Sequence, residues 1–341
     1  MSTKITVVGS LNMDLVVRSP RIPQPGETLL GQGFVTLPGG KGANQAVAAA
    51  RLGGDVTMIG RLGADGFATA LRAGLDEDGV DHRHVLATPD VATGVALITV
   101  DDEGRNTIVV ASGANWLLTP ADVDRAEDAI STCDVLLLQL EVPLETVRRA
   151  AQVARSHDVR VILNPAPAQP LPAELLALVD ILIPNESETA LLTGLPVEDE
   201  PQARSAAARL LEQGVGAVIL TLGSRGALLT TQAESRLFPA FALQPVDTTA
   251  AGDAFVGGLA VALGEGRPLD EAVVWGNAAG GLSTTVLGAQ PSLPRRADVE
   301  RRIQTNLPAA QHSQPERMSH EEDRSAESTP VRSDRGDGTH G

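Results

Sequence analysis

Residues 135–163, VLLLQLEVPLETVRRAAQVARSHDVRVIL, read as a strand, a helix and a second strand. Val135 to Leu138 and Val159 to Leu163 are short, uninterrupted apolar runs, as a strand buried on both faces requires. Leu144 to Ser156 between them has helical length. Such a unit, repeated, builds a parallel sheet covered by helices. It repeats in both directions. Upstream lie the runs Ile5 to Val8 and Val56 to Ile59, with the alanine-rich stretch Ala43 to Leu52 between them. Downstream lie Ile181 to Ile183 and Val218 to Leu222, separated by Gln202 to Gln213. The expected fold is α/β: a doubly wound, mostly parallel sheet flanked by helices.

Two regions break the alternation. Asp14 to Arg18 with Thr28 to Leu37, and Thr93 to Val100 with Asn106 to Val110, read as strands without helices between them. The second pair flanks the charged loop Asp101-Asp102-Glu103-Gly104-Arg105, which suits a hairpin. These strands, from about 14–37 and 93–110, are expected to form a small sheet that covers a site as a lid. One folded domain is expected over residues 1–305. From 306 to 341 the chain turns to Ser, Glu, Asp, Arg, His, Pro and Gly, too polar to offset its ordering entropy, and a disordered tail is expected.

Composition narrows the function. A chain of 341 residues that is 43% hydrophobic can bury a full core. There is no 18-residue apolar run and no signal-peptide h-region after Met-Ser-Thr-Lys, so a cytoplasmic location without membrane contact is expected. The single cysteine, Cys133, has no disulfide partner and reads as a buried small residue. The formal charge of −16, without a Lys/Arg block, disfavours nucleic acid as a partner. An anionic nucleotide remains possible, because a local nest of backbone amides outweighs net charge screened within about 8 Å.

The chemistry concentrates in a few segments. In Asp247-Thr248-Thr249-Ala250-Ala251-Gly252-Asp253, small residues lead into an apolar helix, so backbone amides can converge on an anion that no side chain blocks. Asp253 at the mouth can take a proton from an attacking hydroxyl, or it can simply cap the helix. Pro38-Gly39-Gly40-Lys41-Gly42-Ala43-Asn44-Gln45 invites comparison with a Walker A loop and fails it, since Gly42 follows the lysine where Ser or Thr is required. Gly9-Ser10-Leu11-Asn12 lacks the later glycines of a dinucleotide fingerprint. Asn12 and Asp14 alternate after the first strand and so share a face, suited to vicinal hydroxyls or to a turn. Glu141 follows the run Val135 to Leu140, where open α/β sheets bind ligands. Asn185 and Glu188 can hold the water shell of Mg²⁺ or cap a helix. Thr221-Leu222-Gly223-Ser224-Arg225-Gly226 closes a strand with a glycine turn, suited to nucleotide contacts.

Taken in order, these segments resemble the ribokinase-like (PfkB-type) carbohydrate kinase family, and within it the ribokinase branch. The likeness also covers Gln139-Leu140-Glu141, Asn164-Pro165-Ala166-Pro167-Ala168 and Gly288-Ala289-Gln290-Pro291-Ser292, and spans residues 5 to 300. The resemblance implies ATP-dependent phosphorylation of D-ribose at O5, with Asp253 as base and Ala250, Ala251 and Gly252 as anion hole. It implies a sugar site of Asn12, Met13, Asp14, Gly40, Lys41, Gly42, Ala43, Asn44 and Glu141, completed by Asp253. It assigns ATP to Asn185, the Thr221 to Gly226 turn, Gly252, Asp253 and Asn277, and Mg²⁺ to Asn185 and Glu188 through water. An activating monovalent cation such as K⁺ would use Asp247, Thr249, Ser283, Val286, Gly288 and Ser292. A homodimer through the lid sheet is implied as well. This chain has Ala250 where the wider family usually has glycine. Competing readings are a kinase of the same fold acting on a nucleoside, fructose or a sugar acid, and a sugar- or nucleotide-binding protein without turnover. With no Tyr, five Phe and two Trp, the chain has few rings on which to stack a nucleobase.

Overall fold

Alternate residues of one strand enter two separate cores, which is what a sheet covered on both faces demands. In the computed structural model, which describes residues 2–306, Val135 and Leu137 pack in one apolar cluster and Leu136 and Leu138 in the other. The strands in chain order are β1 (Lys4–Val8), β2 (Asn12–Arg18), β3 (Gly33–Gly39), β4 (Asp55–Gly63), β5 (Asp81–Thr88), β6 (Gly94–Val100) and β7 (Asn106–Ala111). They continue with β8 (Val135–Leu138), β9 (Arg160–Leu163), β10 (Ile181–Leu182), β11 (Ala217–Thr221), β12 (Ala227–Thr230) and β13 (Ser235–Phe238). The large sheet has the order β13-β12-β11-β10-β9-β8-β1-β4-β5. It is parallel from β5 to β11, with β12 and β13 joined antiparallel at one edge.

One face is covered by the helices Lys41–Arg51, Gly66–Glu77, Ala251–Gly264 and Leu269–Ser283, and the other by Leu144–Ser156 and Glu200–Leu211. The helix Leu144–Ser156 has the bounds read from the sequence. The helix Glu200–Leu211 starts two residues earlier than the alanine pattern suggested, because the Asp199 side chain accepts from the Gln202 amide and caps it. Strand β5 and the β12–β13 hairpin went unread. In β5 only Val85 and Thr88 are buried, so this edge strand carries no apolar run.

The four lid strands form a separate sheet in the order β3-β2-β6-β7. The loop Asp101–Arg105 is a hairpin, closed by the Asp101 carboxylate, which accepts from the amides of Glu103 and Arg105. The expected strand Thr28 to Leu37 is shorter at its start, because pairing with β2 begins at Gly33. The centre of this sheet is a parallel pair, β2 with β6. Cys133 is buried, its Sγ donating to the Ile130 carbonyl at 3.2 Å. No helix among the described residues is long and apolar enough to cross a membrane. The polar tail expected from 306 lies outside the described residues, apart from Asn306, where the helix Arg296–Asn306 ends.

Candidate active site

In the parallel strands the carboxyl ends share one edge, and strand order reverses between β1 and β8, the point at which open α/β sheets bind ligands. Ser10 and Asn12 follow β1 there, and Gln139 and Glu141 follow β8. Ser10 Oγ donates to Glu141 Oε2 at 2.6 Å and the Lys41 amide donates to the same oxygen at 3.0 Å, so one carboxylate ties the two strand ends to the glycine turn. That turn is rigid. Gly40 has φ +88°, and a Cβ on it would lie 2.6 Å from the Asn12 nitrogen, so only glycine lets the helix Lys41–Arg51 start this close to β2.

Asp253 is buried and belongs to the first turn of the helix Ala251–Gly264. It does not cap that helix. Its Oδ2 accepts from Asn44 Nδ2 at 2.9 Å and its Oδ1 from Gln45 Nε2 at 3.0 Å, so both oxygens are held by the neighbouring helix. The two helices touch closely enough that a Cβ on Gly257 would lie 2.6 Å from the Ala48 Cβ. Burial pushes the Asp253 carboxyl above the ordinary range, while Lys41, Asn44 and Gln45 oppose that rise and Glu141 adds to it. Lys41 is the counter-charge. Burial works against its ammonium, but Asp253, Glu141 and Glu188 outweigh burial and hold its pKa above the ordinary value.

Asn12 and Asp14 lie at alternate positions of β2, both buried. Burial first, then the charges of Glu141 and Asp253, push Asp14 up to about 7. Asn12 Oδ1 accepts from Asn115 Nδ2 at 2.7 Å, and the Asn115 side chain also bonds both backbone groups of Leu11. Met13 is buried on the opposite side of β2, in the core. Gly42 and Ala43 are buried in the helix, the Ala43 amide donating to the Ser10 carbonyl.

The expected anion hole needs one correction. Ala250 takes the left-handed conformation, φ 60°, at the head of its helix, and the Ala251 amide turns back to donate to the Thr248 carbonyl at 3.2 Å. Among the described residues the amides of Gly252 and Asp253 have no hydrogen-bond partner, so they and not Ala251 are open to an anion. A Cβ on Gly252 would meet nothing within 4 Å. Gly252→Val should therefore fold with stability changed by less than about 0.5 kcal/mol, yet lose roughly tenfold or more in kcat/KM for the nucleotide. Calorimetry with steady-state kinetics would check this, and unchanged kinetics would show that no anion sits there.

Beyond β10 and β11, Asn185 and Glu188 form a complete capping box: the Asn185 amide donates to Glu188 Oε2 at 2.8 Å and the Glu188 amide to Asn185 Oδ1 at 2.8 Å. Glu188 is buried, and burial first raises its carboxyl, with Lys41 opposing and Asp253 adding. Asn185 pairs with Thr221 across β10 and β11. In the turn after Thr221, Leu222 is buried, Gly223 and Ser224 are exposed, and Arg225 pairs with Glu186 before Gly226 ends it. Asn277 donates to the Phe238 carbonyl at 3.2 Å, holding the end of β13. Asp247 accepts from Thr249 Oγ1 at 2.7 Å and from the Gly288 amide at 2.8 Å, which brings those three together. The hydroxyls of Ser283 and Ser292 donate to the carbonyls of Gly280 and Ala289. Each of those two hydroxyl oxygens keeps its lone pairs and each residue its carbonyl, whereas Val286, which is half exposed, can offer a cation only its carbonyl.

The family model for pfkB family carbohydrate kinases matches residues 2–296. The chain belongs to this family. This pfkB kinase is 45% identical over 298 residues to a ribokinase of Haemophilus influenzae, covering 87% of this chain and 97% of that protein. It is 39% identical over 291 residues to a deoxyribokinase of Salmonella typhi, covering 85% of this chain and 95% of that protein. A solved structure of Arabidopsis thaliana ribokinase with ribose and ATP matches with TM-score 0.84 at 36% identity, covering 89% of this chain and 99% of that one. Four polar residues that hydrogen-bond within this candidate cluster were not assigned to it from sequence: Ser10, Gln45, Asn115 and Gln139. All four are fully or almost fully buried polar side chains beside a strand end or a site residue, a signal that exists only once burial is known.

Proposed function

We propose that this pfkB kinase is a ribokinase, transferring the terminal phosphoryl group of ATP to O5 of D-ribose and releasing D-ribose 5-phosphate and ADP. The observation that carries the reading is a buried carboxylate, Asp253, clamped by two amides beside the unpartnered amides of its own helix. Asp253 accepts the proton of the sugar hydroxyl, and the amides of Gly252 and Asp253 with the helix N-terminus offset charge on the transferring group. Such transition states are commonly loose, so alignment matters more than basicity. Asn12, Asp14, Lys41, Asn44 and Glu141, together with the Gly40 turn, hold the sugar. Asn44 Oδ1 supports this: it is buried without a partner and can accept from a hydroxyl.

ATP is assigned to Asn185, the Thr221 to Gly226 turn and Asn277, where exposed glycine backbone lies at a strand end. Asn185 and Glu188 suit Mg²⁺ held through water, because their carboxylate and amide are already engaged with each other and Mg²⁺ retains its own waters. Bound there, Mg²⁺ would supply charge neutralisation of the phosphates. The Asp247 loop suits a monovalent cation. Its carboxylate is stabilised as the anion by Thr249 and Gly288, which overcome burial. Carbonyls of Ser283, Val286, Gly288 and Ser292 would complete the shell, and K⁺ would order the loop leading to Gly252. Replacing K⁺ with Na⁺ should lower kcat severalfold; equal rates in the two salts would remove this site.

A homodimer through the lid sheet is supported by its exposed apolar side chains, among them Phe34, Val35, Leu97, Ile108 and Val109. A cytoplasmic location accords with this substrate pair. The deoxyribokinase relative makes 2-deoxyribose the rival acceptor, so the test is an ADP-release assay across ribose, deoxyribose, fructose, adenosine, cytidine and sugar acids. Ribose should give the highest kcat/KM, and preference for any other acceptor would overturn the assignment.

A further inference from the structure

We infer that Gln45 and Gln139 form a directed amide relay that fixes the orientation of Asp253, making Gln45 a positioning residue for phosphoryl transfer. The inference rests on the reading of Asp253 as base. Gln45 is fully buried on the helix Lys41–Arg51, one residue after Asn44. Successive helical residues diverge by about 100°, so Asn44 and Gln45 grip the two carboxylate oxygens of Asp253 from different sides. Gln45 Oε1 accepts from Gln139 Nε2 at 2.6 Å, and Gln45 Nε2 also lies 3.3 Å from Asn164 Oδ1. Asn164 Nδ2 in turn donates to the Ile183 carbonyl, two residues before Asn185.

The chain of amides runs in one sense only. An ionised carboxylate has no proton to give, so Gln45 must turn its NH₂ to Asp253 and its oxygen to Gln139, which must then offer its own NH₂. The remaining oxygen, Gln139 Oε1, is buried without a partner. A native fold rarely leaves such an acceptor unsatisfied, and here it is the terminus of a relay whose sense the carboxylate dictates. Among the described residues no other group donates to Asp253 Oδ1: Lys41 and Glu141 face the carboxylate by charge, as do Asp14 and Glu188 from other elements, without a hydrogen bond to it. Without Gln45 the carboxylate would rotate about its terminal bond and lose one of two donors to its ionised form.

The test compares Gln45→Met and Gln139→Met, which keep volume and remove polarity, with Asp253→Asn as control. Gln45→Met should lower kcat by about tenfold or more with sugar KM changed less than about twofold, and should move the acid limb of the kcat–pH profile up by about one pH unit. Gln139→Met should shift the limb the same way by less, and it carries the test alone if Gln45→Met does not fold. A drop in melting temperature with wild-type kcat and pH profile in the folded variants would overturn the relay. If Asp253→Asn loses turnover while both Met variants keep the wild-type profile, the relay fails and the base stands. Near-wild-type turnover of Asp253→Asn would overturn both.

Discussion

Asn in place of Asp253 is expected to lower kcat by roughly 10²- to 10⁴-fold while ribose still binds. The substitution preserves shape and the bond from one neighbour, but it replaces an acceptor with an amide that cannot take the hydroxyl proton. The new NH₂ would also face the Asn44 or Gln45 donor across the 2.9–3.0 Å that now separates carboxylate and amide. That donor-to-donor contact would force a flip of a neighbouring amide. Sugar affinity should fall much less than kcat, because Asn12, Asp14, Lys41 and Glu141 remain. Isothermal titration with ribose and single-turnover kinetics separate the two effects. Turnover within a few fold of wild type would remove the proposed base.

Asp14→Asn is expected to make the sugar-free protein more stable at alkaline pH while weakening sugar binding by one to two orders of magnitude, roughly the loss of one hydrogen bond involving a charged group. The carboxyl is pushed up to about 7 in the fold from an ordinary 3.8, so between these values the native state holds a proton that the unfolded chain has released. Unfolding then releases a proton, and stability falls as pH rises from about 4 to about 7, staying low above that. The amide that replaces the carboxyl does not titrate. The variant should match the wild type near pH 4 and gain most above pH 7, by on the order of 2–4 kcal/mol. The charge of Asp253 acts on Asp14, so the measured midpoint belongs to the coupled pair. Thermal melts of both proteins without sugar at pH 5 and pH 8 check this. A difference in melting temperature that does not grow with pH would show that Asp14 is ionised in the fold like any surface acid.

This opposition of stability and binding follows from crowding carboxylates around one lysine. Asp14, Glu141, Glu188 and Asp253 all influence one another or Lys41. A neutral sugar that hydrogen-bonded these acids would offset their mutual repulsion.

The amino-acid sequence by itself determined the doubly wound sheet and the residue types available to its crevice. Val135 to Leu138 is apolar without a break because a central parallel strand is buried on both faces, and that requirement is local enough to read. The small residues before Asp253 were readable for the same reason, since a helix start open to an anion is a property of adjacent residues. Tertiary structure alone decided that Met13 faces the core, that Asp253 is gripped from a neighbouring helix and does not cap its own, and that the Ala251 amide is engaged by the Thr248 carbonyl. It also decided that β2 pairs with β6, and that Gln45 and Gln139 belong to the site. Gln45 and Asp253 are separated by 208 positions, and no local pattern encodes a hydrogen bond across that distance. Burial and pairing of that kind arise only when the sheet brings its strand ends to one edge.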